Sequence, residues 1–153
     1  MSCLVYSGAI DDNFLTKLLS RNPRYLTLCS PGGDLGTMIG AVDHLAANPT
    51  AVQVTGQCMS AAVAILASGQ KGARSATPST IFMIHKAWMR LTGDSDAFRA
   101  ETEQLLKEQD FYWAVLGCRT RRRGEWWKKQ CATGPLYFTA KEALSWGLID
   151  GVA

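Results

Sequence analysis

AVQVTGQCMSAAVAILASG, residues 51–69, is the stretch on which the fold prediction rests. Its first part, residues 51–56, predicts a short strand that ends at a glycine. Its second part, from about Ser60 to Ser68, predicts a helix of small apolar residues. Ser60 therefore lies at a strand-to-helix turn, where a hydroxyl with small neighbours suits a nucleophile. A plain helix start packed tightly against a sheet has the same composition, so this stretch alone leaves both interpretations open.

The rest of the chain repeats this alternation of strands and helices. Further strands are predicted at residues 3–8, 25–30 and 80–86 and at the very end, and further helices follow Ile10 and Gly33 and cover about 96–116 and 139–150. Apolar side chains recur at helical spacing in these helices, and glycine, proline or asparagine interrupts the pattern between elements. The alternation predicts an α/β fold in which helices cover a mainly parallel sheet.

Two glycine- and serine-rich turns follow neighbouring strands of this predicted sheet. SPGG, residues 30–33, ends the second strand, and GQCMS, residues 56–60, ends the third. His85 lies near the end of a further strand. Because ligands of open α/β sheets collect outside the carboxyl ends of the strands, we expect Ser60, His85 and the Gly32–Gly33 turn to meet at one edge.

Length and composition predict one domain over residues 1–153 of an ordinary water-soluble type. The sequence is 47% hydrophobic and 19% charged, and no apolar run is long enough to cross a bilayer. The first dozen residues lack the basic segment of a signal peptide. Five cysteines without a CxxC spacing argue against a disulfide framework or a zinc site and favour a reducing compartment. We therefore predict a cytoplasmic protein without a metal or cofactor.

A basic stretch, RTRRRGEWWKK at residues 119–129, stands out from the modest net charge of +3. Cations beside tryptophans could hold nucleic acid through phosphate contacts and base stacking. The simpler interpretation is a helix end with cations against its dipole, then a solvated loop and a second helix that buries its tryptophans. We favour the simpler interpretation and do not expect a nucleic-acid or membrane partner.

Ser60 and His85 are the residue types of a nucleophile and its base. A serine hydroxyl is a weak nucleophile until a base removes its proton, and histidine suits neutral pH. Backbone N–H groups of the Gly32–Gly33 turn and of Ala61 could stabilise an oxyanion, each by about 3 kcal/mol. A structural histidine at a strand end is the alternative for His85. His44, inside a predicted helix, is interpreted as structural.

Four blocks carry a family resemblance, and together they cover most of the chain: YSGAIDD, CSPGGDLGTMIGAVDHL, VTGQCMSAAVAILASGQKGARSATPSTIFMIHKA and YFTAKEALSWGLID. In this order they resemble the proteolytic subunit of Clp protease, ClpP. That family has N-S-P-G-G, a G-x-x-x-S nucleophile elbow, K-G-x-R, M-I-H-x-P and S-A-x-E-A-x-x-x-G-L-I-D. The interval from Ser60 to His85 also matches the family's. The resemblance implies a ClpP/crotonase-like spiral of βαβ units with a long handle helix.

The resemblance assigns roles position by position. It implies that Ser60 is the nucleophile, that His85 is the general base, and that the amides of Gly33 and Ala61 form the oxyanion hole. Asp34 and Leu35, and the segment from Lys86 to Leu91, fall where the family pairs its peptide substrate as an added strand.

The family's third catalytic residue, an aspartate, has no counterpart in KKQCATGPLYFTA, residues 128–140. An ungapped count places Cys131 at the aspartate's position, and a one-residue insertion would place Gln130 there. A neutral orienter such as Gln130 or Thr133, or a carboxylate from elsewhere such as Glu125, remains an alternative, and Asp110 is interpreted as a surface charge. Loss of the carboxylate can cost about 10⁴ in kcat.

The predicted function is a serine endopeptidase that cleaves peptides or unfolded proteins inside a homo-oligomeric ring or pair of stacked rings. No segment like the family's axial entrance precedes the first strand, and the helix after Asp12 is shorter than the family's. These departures argue against dependence on a AAA+ unfoldase. A catalytically weak ring subunit that scaffolds a partner, and a crotonase-type enzyme acting on acyl-CoA, are the alternatives.

Overall fold

The computed structural model of the protein describes residues 2–153, in which seven strands and six helices follow one another. In chain order they are β1 Cys3–Ser7, α1 Asp12–Arg21, β2 Tyr25–Ser30, α2 Leu35–Ala47, β3 Ala51–Met59, α3 Ala61–Ala67, β4 Arg74–Ala76, β5 Ile81–Ile84, α4 Ser95–Arg119, α5 Gly124–Gln130, β6 Leu136–Thr139, α6 Ala140–Ser145 and β7 Gly151–Val152. The predicted α/β class with a mainly parallel sheet and a long helix is confirmed.

One long strand, β3, organises the sheet. Five strands lie in the order β1-β2-β3-β4-β7, and all neighbours in this row are parallel. The first half of β3 pairs with β4, and its second half, from Gln57 to Met59, pairs with β5, which also accepts β6 as an antiparallel neighbour. Gly56, with φ of 64°, separates the two halves. The carboxyl ends of β3 and β5 are thereby brought side by side.

Helix α3 lies in the centre of the core. All seven of its residues, Ala61–Ala67, are fully buried. It contacts α2, α4 and β3, and small side chains let these neighbours approach closely. The small residues after Ser60 thus have a packing role whatever the serine does.

The N-terminus of α2 is fixed by the side chain of Asp34, the residue that follows SPGG. Asp34 adopts an extended conformation before α2, and its Oδ1 accepts a hydrogen bond of 2.6 Å from the backbone N–H of Thr37. An N-cap of this kind satisfies a backbone donor that the helix itself leaves free. The cap thereby fixes the start of α2 directly after the Gly32–Gly33 turn.

Several predicted boundaries differ from the structure. The third strand continues past Gly56 to Met59, because its second half finds a new partner in β5. The strands Arg74–Ala76 and Leu136–Thr139 were not predicted, since each is short and takes its conformation from its neighbours. The helix predicted over 139–150 was too long: α6 ends at Ser145, and a turn with Gly147 at φ of 74° follows.

The basic stretch has the conformation that its simpler interpretation predicted. The end of α4, a loop and α5 contain it, and Trp127 is fully buried. Arg122 lies over the ring of Trp126, 4.8 Å from its centre. No helix in residues 2–153 combines the length and apolar character needed to span a membrane.

Candidate active site

Ser60 occupies the turn between β3 and α3 in a conformation that non-glycine residues seldom adopt. Its φ is 53° and its ψ is −124°. Strain of this kind persists only where surrounding contacts hold it, and it is typical of a nucleophile elbow, which exposes a serine hydroxyl at the top of a sheet. Two contacts hold it here: the backbone N–H of Ser60 donates to the Met83 carbonyl at 2.7 Å, and the Tyr112 hydroxyl donates to the Ser60 carbonyl at 3.0 Å.

His85 follows the last residue of β5 and reaches the serine. Its Nε2 lies 3.0 Å from the Oγ of Ser60. Because β5 is the parallel neighbour of the second half of β3, the two strand ends deliver the two side chains to the same place. With Nε2 unprotonated, the imidazole accepts the serine hydroxyl's hydrogen bond, which is the arrangement that activation of a nucleophile requires.

The Gly32–Gly33 turn lies directly against Ser60. A Cβ on Gly32, whose φ is 95°, would stand 2.7 Å from the Cβ of Ser60 and 2.7 Å from the Met59 carbonyl. Only glycine fits such a close approach in this conformation. The sequence predicted this proximity from topology, and the structure brings the two turns into contact.

The backbone of Gly33 is oriented by Ile10 on the far side of the turn. The Ile10 N–H donates to the Gly32 carbonyl, and the Asp34 N–H donates to the Ile10 carbonyl, both at 2.9 Å. In a bridge of this type the flanking groups face the partner, so the N–H of Gly33 faces away from Ile10. Among the described residues it donates no hydrogen bond, which leaves it free for a ligand.

A cavity of about 520 Å³ contains these groups. Ser60, His85, Gly33, Asp34 and Leu35 line one part of it. Residues that follow β5 and residues of α4 line the rest: Ala87, Trp88, Met89, Leu105, Glu108, Gln109 and Tyr112. The cavity is mostly apolar with polar groups at Ser60 and His85, a composition typical of sites that bind an organic chain.

Of the three residues assigned to substrate binding, two line this cavity and one does not. Asp34 and Leu35 belong to its wall. The side chain of Lys86 instead points elsewhere, since its Nζ donates to the carbonyl of Ala132 at 3.3 Å. Any contact of Lys86 with a ligand in the cleft would therefore involve its backbone.

Neither candidate for the third catalytic position hydrogen-bonds to the ring of His85. Cys131 is buried, and its Sγ lies 3.6 Å from the carbonyl of Ile84, the residue before the histidine. Gln130 is exposed at the end of α5. Within residues 2–153, the hydrogen bond to Ser60 is the only one that the His85 side chain makes.

The other acids and the hydroxyl weighed for this role make no hydrogen bond to His85 among the described residues either. Glu125 and Asp110 line a separate cavity between α4 and α5, and Thr133 lies exposed in the loop before β6. Burial raises the pKa of the Cys131 thiol, so at neutral pH it is a protonated, neutral group. Cys131 therefore offers no charge with which to stabilise an imidazolium.

Two residues that contact the site were not identified from the sequence. Tyr112 binds the Ser60 carbonyl, and Gln109 accepts a hydrogen bond of 2.8 Å from the backbone N–H of Ala87 through its Oε1. Both belong to α4, where helical spacing alone predicted only an apolar face. Their polar contacts could be found only once the position of α4 over the strand ends was known.

The fold and the paired side chains together define a class: an α/β protein with a hydrogen-bonded serine–histidine pair at the carboxyl edge of a parallel sheet. Comparison with known proteins names the family. The Clp protease family matches over residues 13–153, and the chain belongs to that family of serine-type peptidases. The chain is 26% identical, over 161 aligned residues, to the ATP-dependent Clp protease proteolytic subunit of Ligilactobacillus salivarius (strain UCC118). That alignment covers 97% of this chain and 81% of the relative.

Proposed function

We propose that residues 1–153 form one ClpP-like domain that hydrolyses peptides or unfolded proteins through an acyl-enzyme. The observation that carries the proposal is the 3.0 Å contact between Ser60 Oγ and His85 Nε2 inside a cavity of about 520 Å³. A structural histidine would be expected to pack within the core, whereas this one faces a space large enough for an extended peptide segment.

The proposed reaction begins when Ser60 Oγ attacks the peptide carbonyl and His85 Nε2 takes its proton. The carbonyl oxygen becomes an oxyanion, which the N–H groups of Gly33 and Ala61 stabilise. His85 then gives the proton to the leaving amine, and the acyl group stays on Ser60. A water molecule, deprotonated by His85, attacks this ester and releases the second product.

Two backbone donors support the oxyanion-hole assignment. The Gly33 N–H is free among the described residues and belongs to the turn that contacts Ser60. Ala61 is the first residue of α3, and the first N–H groups of a helix have no partner within it. Each such donor would contribute on the order of 3 kcal/mol to the transition state.

Substrate would pair as an added strand beside Asp34 and Leu35 and beside the backbone of Lys86. We propose that a homo-oligomeric ring encloses the sites and thereby excludes folded proteins, and that an ATPase partner is not required. A cytoplasmic location completes the proposal, in agreement with five cysteines that are all free thiols.

A catalytically weak scaffold subunit is the second candidate function, because the part of the chain that the structure describes places no carboxylate on the His85 ring. In a triad the carboxylate fixes the histidine tautomer and stabilises the imidazolium, and its loss can cost about 10⁴ in kcat. The scaffold hypothesis and the dyad hypothesis therefore differ in rate, which makes chemical labelling the decisive measurement.

A fluorophosphonate probe tests the proposal, since it reacts only with an activated serine. We expect the wild-type protein to become labelled and Ser60→Ala to lose all labelling. Ser79→Ala, which removes an exposed hydroxyl away from the cavity, is the matched control and should label like wild type. Absence of labelling in wild type, or labelling that survives Ser60→Ala, would refute the peptidase.

A ring measurement separates the enzyme from the scaffold. Native mass spectrometry of the wild-type chain should show a closed homo-oligomer, and the same preparation should cleave a fluorogenic peptide. A ring that forms without labelling at Ser60, and that changes the activity of a co-expressed peptidase even when Ser60 is replaced, would favour the scaffold instead.

A further inference from the structure

The two halves of the dyad come from different elements, and α4 hydrogen-bonds to both. Tyr112 binds the carbonyl of Ser60, and Gln109 binds the backbone N–H of Ala87, two residues after His85. Residues three apart in a helix share a face, so one helix face reaches both elements. We propose that Gln109 and Tyr112 are positioning residues: they hold Ser60 and the segment after His85 so that the serine hydroxyl and the imidazole stay within hydrogen-bonding distance. This inference rests on the proposed peptidase function.

Tyr112 is suited to hold the strained turn. Its side chain is 4% exposed, and its ring packs edge-on against Trp113 with ring centres 5.0 Å apart. Burial raises the pKa of Tyr112 well above its ordinary value, so the phenol stays protonated and remains a donor at neutral pH. The hydroxyl on this rigid ring donates a hydrogen bond to the carbonyl of Ser60, the residue with the unusual φ.

Gln109 acts at a position where this chain departs from its family's motif. The motif M-I-H-x-P places a proline two residues after the histidine, and proline has no N–H and a fixed φ. This chain reads MIHKA, so Ala87 gains both an N–H and conformational freedom. The Oε1 of Gln109 accepts that N–H at 2.8 Å, which ties the segment to α4. A side chain thereby restores a restraint that the proline would have supplied covalently.

The restraint matters more because the His85 ring has a single hydrogen bond among the described residues. Where a carboxylate would otherwise fix the imidazole, here the backbone on either side of His85 must fix it. On one side β5 pairs with β3, and on the other Gln109 holds Ala87. Loss of the Gln109 contact should therefore loosen both the histidine and the cavity wall formed by Trp88 and Met89.

Tyr112→Phe tests the first contact by removing only the hydroxyl. We expect kcat for a fluorogenic peptide, and the rate of fluorophosphonate labelling, to fall about tenfold, while KM stays within about twofold, because the nucleophile moves and the substrate cleft does not. Tyr25→Phe is the matched control and should change neither constant, because Tyr25 begins β2 and the site lies at the carboxyl ends of the strands. A rise in KM at constant kcat, or no change, would overturn the role of Tyr112.

Gln109→Met tests the second contact, because methionine has similar length and no strong acceptor. We expect KM to rise and kcat to fall, each by about threefold to tenfold, since the segment forms part of the cleft. Gln109→Glu keeps an acceptor and should recover most of the loss. Gln104→Met, on the exposed face of α4, is the control. In a double-mutant cycle, Gln109→Met should cost less when Ala87→Pro has already removed the N–H.

Hydrogen exchange separates this inference from the peptidase proposal, because it needs no activity. In the full chain, the Ala87 amide should exchange at least about tenfold faster in Gln109→Met than in wild type, and Gln109→Glu should restore protection. Unchanged exchange at residue 87 would overturn the positioning role even in an active enzyme. Faster exchange in a protein that never labels at Ser60 would support the contact and refute only the peptidase.

Discussion

Two polar clusters in this molecule, the Ser60–His85 site and the Arg74–Asp150 ion pair, each join distant parts of the chain. They differ in how many of their hydrogen-bonding groups have a partner. Arg74 is 3% exposed and donates to both oxygens of Asp150, at 2.9 and 2.7 Å. Its remaining N–H groups donate to the carbonyls of Ala67, Arg119 and Gly147. Asp150 also accepts the backbone N–H of Gly72. The hydrogen-bonding groups of the ion pair all have partners, and these bonds connect β4 to β7 and to the end of α4.

The Ser60–His85 site is unsaturated by comparison. Among the described residues, His85 makes one side-chain hydrogen bond and the N–H of Gly33 makes none. Buried polar groups in proteins are normally satisfied, so free donors that face a cavity indicate a place kept for a ligand. The difference teaches that one sheet can carry both kinds of polar cluster: one with its hydrogen bonds satisfied, which joins elements of the fold, and one with unpaired groups at a cavity, which is the kind that the proposed chemistry needs.

His85→Gln should have the largest effect, and on activity alone. Removal of the base leaves Ser60 with a weak hydroxyl, so we expect the labelling rate and kcat to fall by about 10³-fold or more. The melting temperature should change little, because the ring makes one hydrogen bond and lies half exposed. His44→Gln, on α2, is the matched control and should keep full labelling. Retained labelling in His85→Gln would place the base elsewhere.

Gly32→Ala should come next, because the added methyl has no room. Its Cβ would lie 2.7 Å from the Ser60 Cβ in a backbone conformation, φ of 95°, that strains alanine. Displacing the turn or the nucleophile by about 1 Å can cost about 10²-fold in rate, and we expect a loss of that order.

Gly151→Ala is the control for this substitution, since nothing lies within 4 Å of a Cβ at that position. Labelling kinetics of the folded fraction, measured beside thermal melting, distinguish a displaced nucleophile from general unfolding. Wild-type labelling in Gly32→Ala would show that the close approach is relaxed in solution, and that the Gly32–Gly33 turn does not fix the position of Ser60.

Cys131→Asp asks whether the family's aspartate position can serve His85 in this chain. The Cys131 thiol faces the Ile84 carbonyl, and a carboxylate there would meet an oxygen in a buried place. We expect stability to fall by about 2–3 kcal/mol and the labelling rate of the folded protein to stay within about twofold. Cys131→Ser is the control for loss of the thiol. A labelling rate that rose tenfold or more would show that a carboxylate at this position does reach the histidine.

Local patterns in the sequence were enough for the fold class and for the meeting of Ser60, His85 and the glycine turn. The ends of the predicted strands 25–30, 51–56 and 80–86 carry clear glycine, serine or histidine signals. Parallel pairing of these strands then brings their ends together. Short strands such as Arg74–Ala76 carry no such signal, because the sequence of a three-residue strand cannot be distinguished from that of a loop.

The contacts from α4 could not be predicted for a different reason. Gln109 and Tyr112 are ordinary helix residues in the sequence. Their roles depend on contacts with Ala87 and Ser60, which lie 22 and 52 residues earlier in the chain. The direction of Lys86 away from the cleft is a further example, since it depends on the Ala132 carbonyl in a loop far along the sequence. Tertiary contacts of single polar side chains leave no periodic trace.

Asp150→Asn should have the smallest effect, and on stability rather than rate. Hydrogen bonds and the charge of Arg74 lower the pKa of the Asp150 carboxyl from 3.8 to about 2. A folded-state pKa below the unfolded value means that the ion pair contributes its full stability above about pH 4 and loses it as pH falls toward 2. At neutral pH we expect a loss of about 2 kcal/mol, equivalent to a fall in melting temperature of about 4–8 °C.

The pH dependence of this loss identifies the ion pair as its cause. The gap in melting temperature between wild type and Asp150→Asn should be largest above pH 4 and should narrow toward pH 2, where the native carboxyl is itself protonated. Asp43→Asn, an exposed carboxylate on α2, should show no such gap. Labelling at Ser60 should be equal in all three proteins at neutral pH, because the Arg74–Asp150 ion pair and the Ser60–His85 site share no residue. A gap that is constant with pH would mean that the amide disturbs packing, and a loss of labelling would mean that the two clusters are coupled.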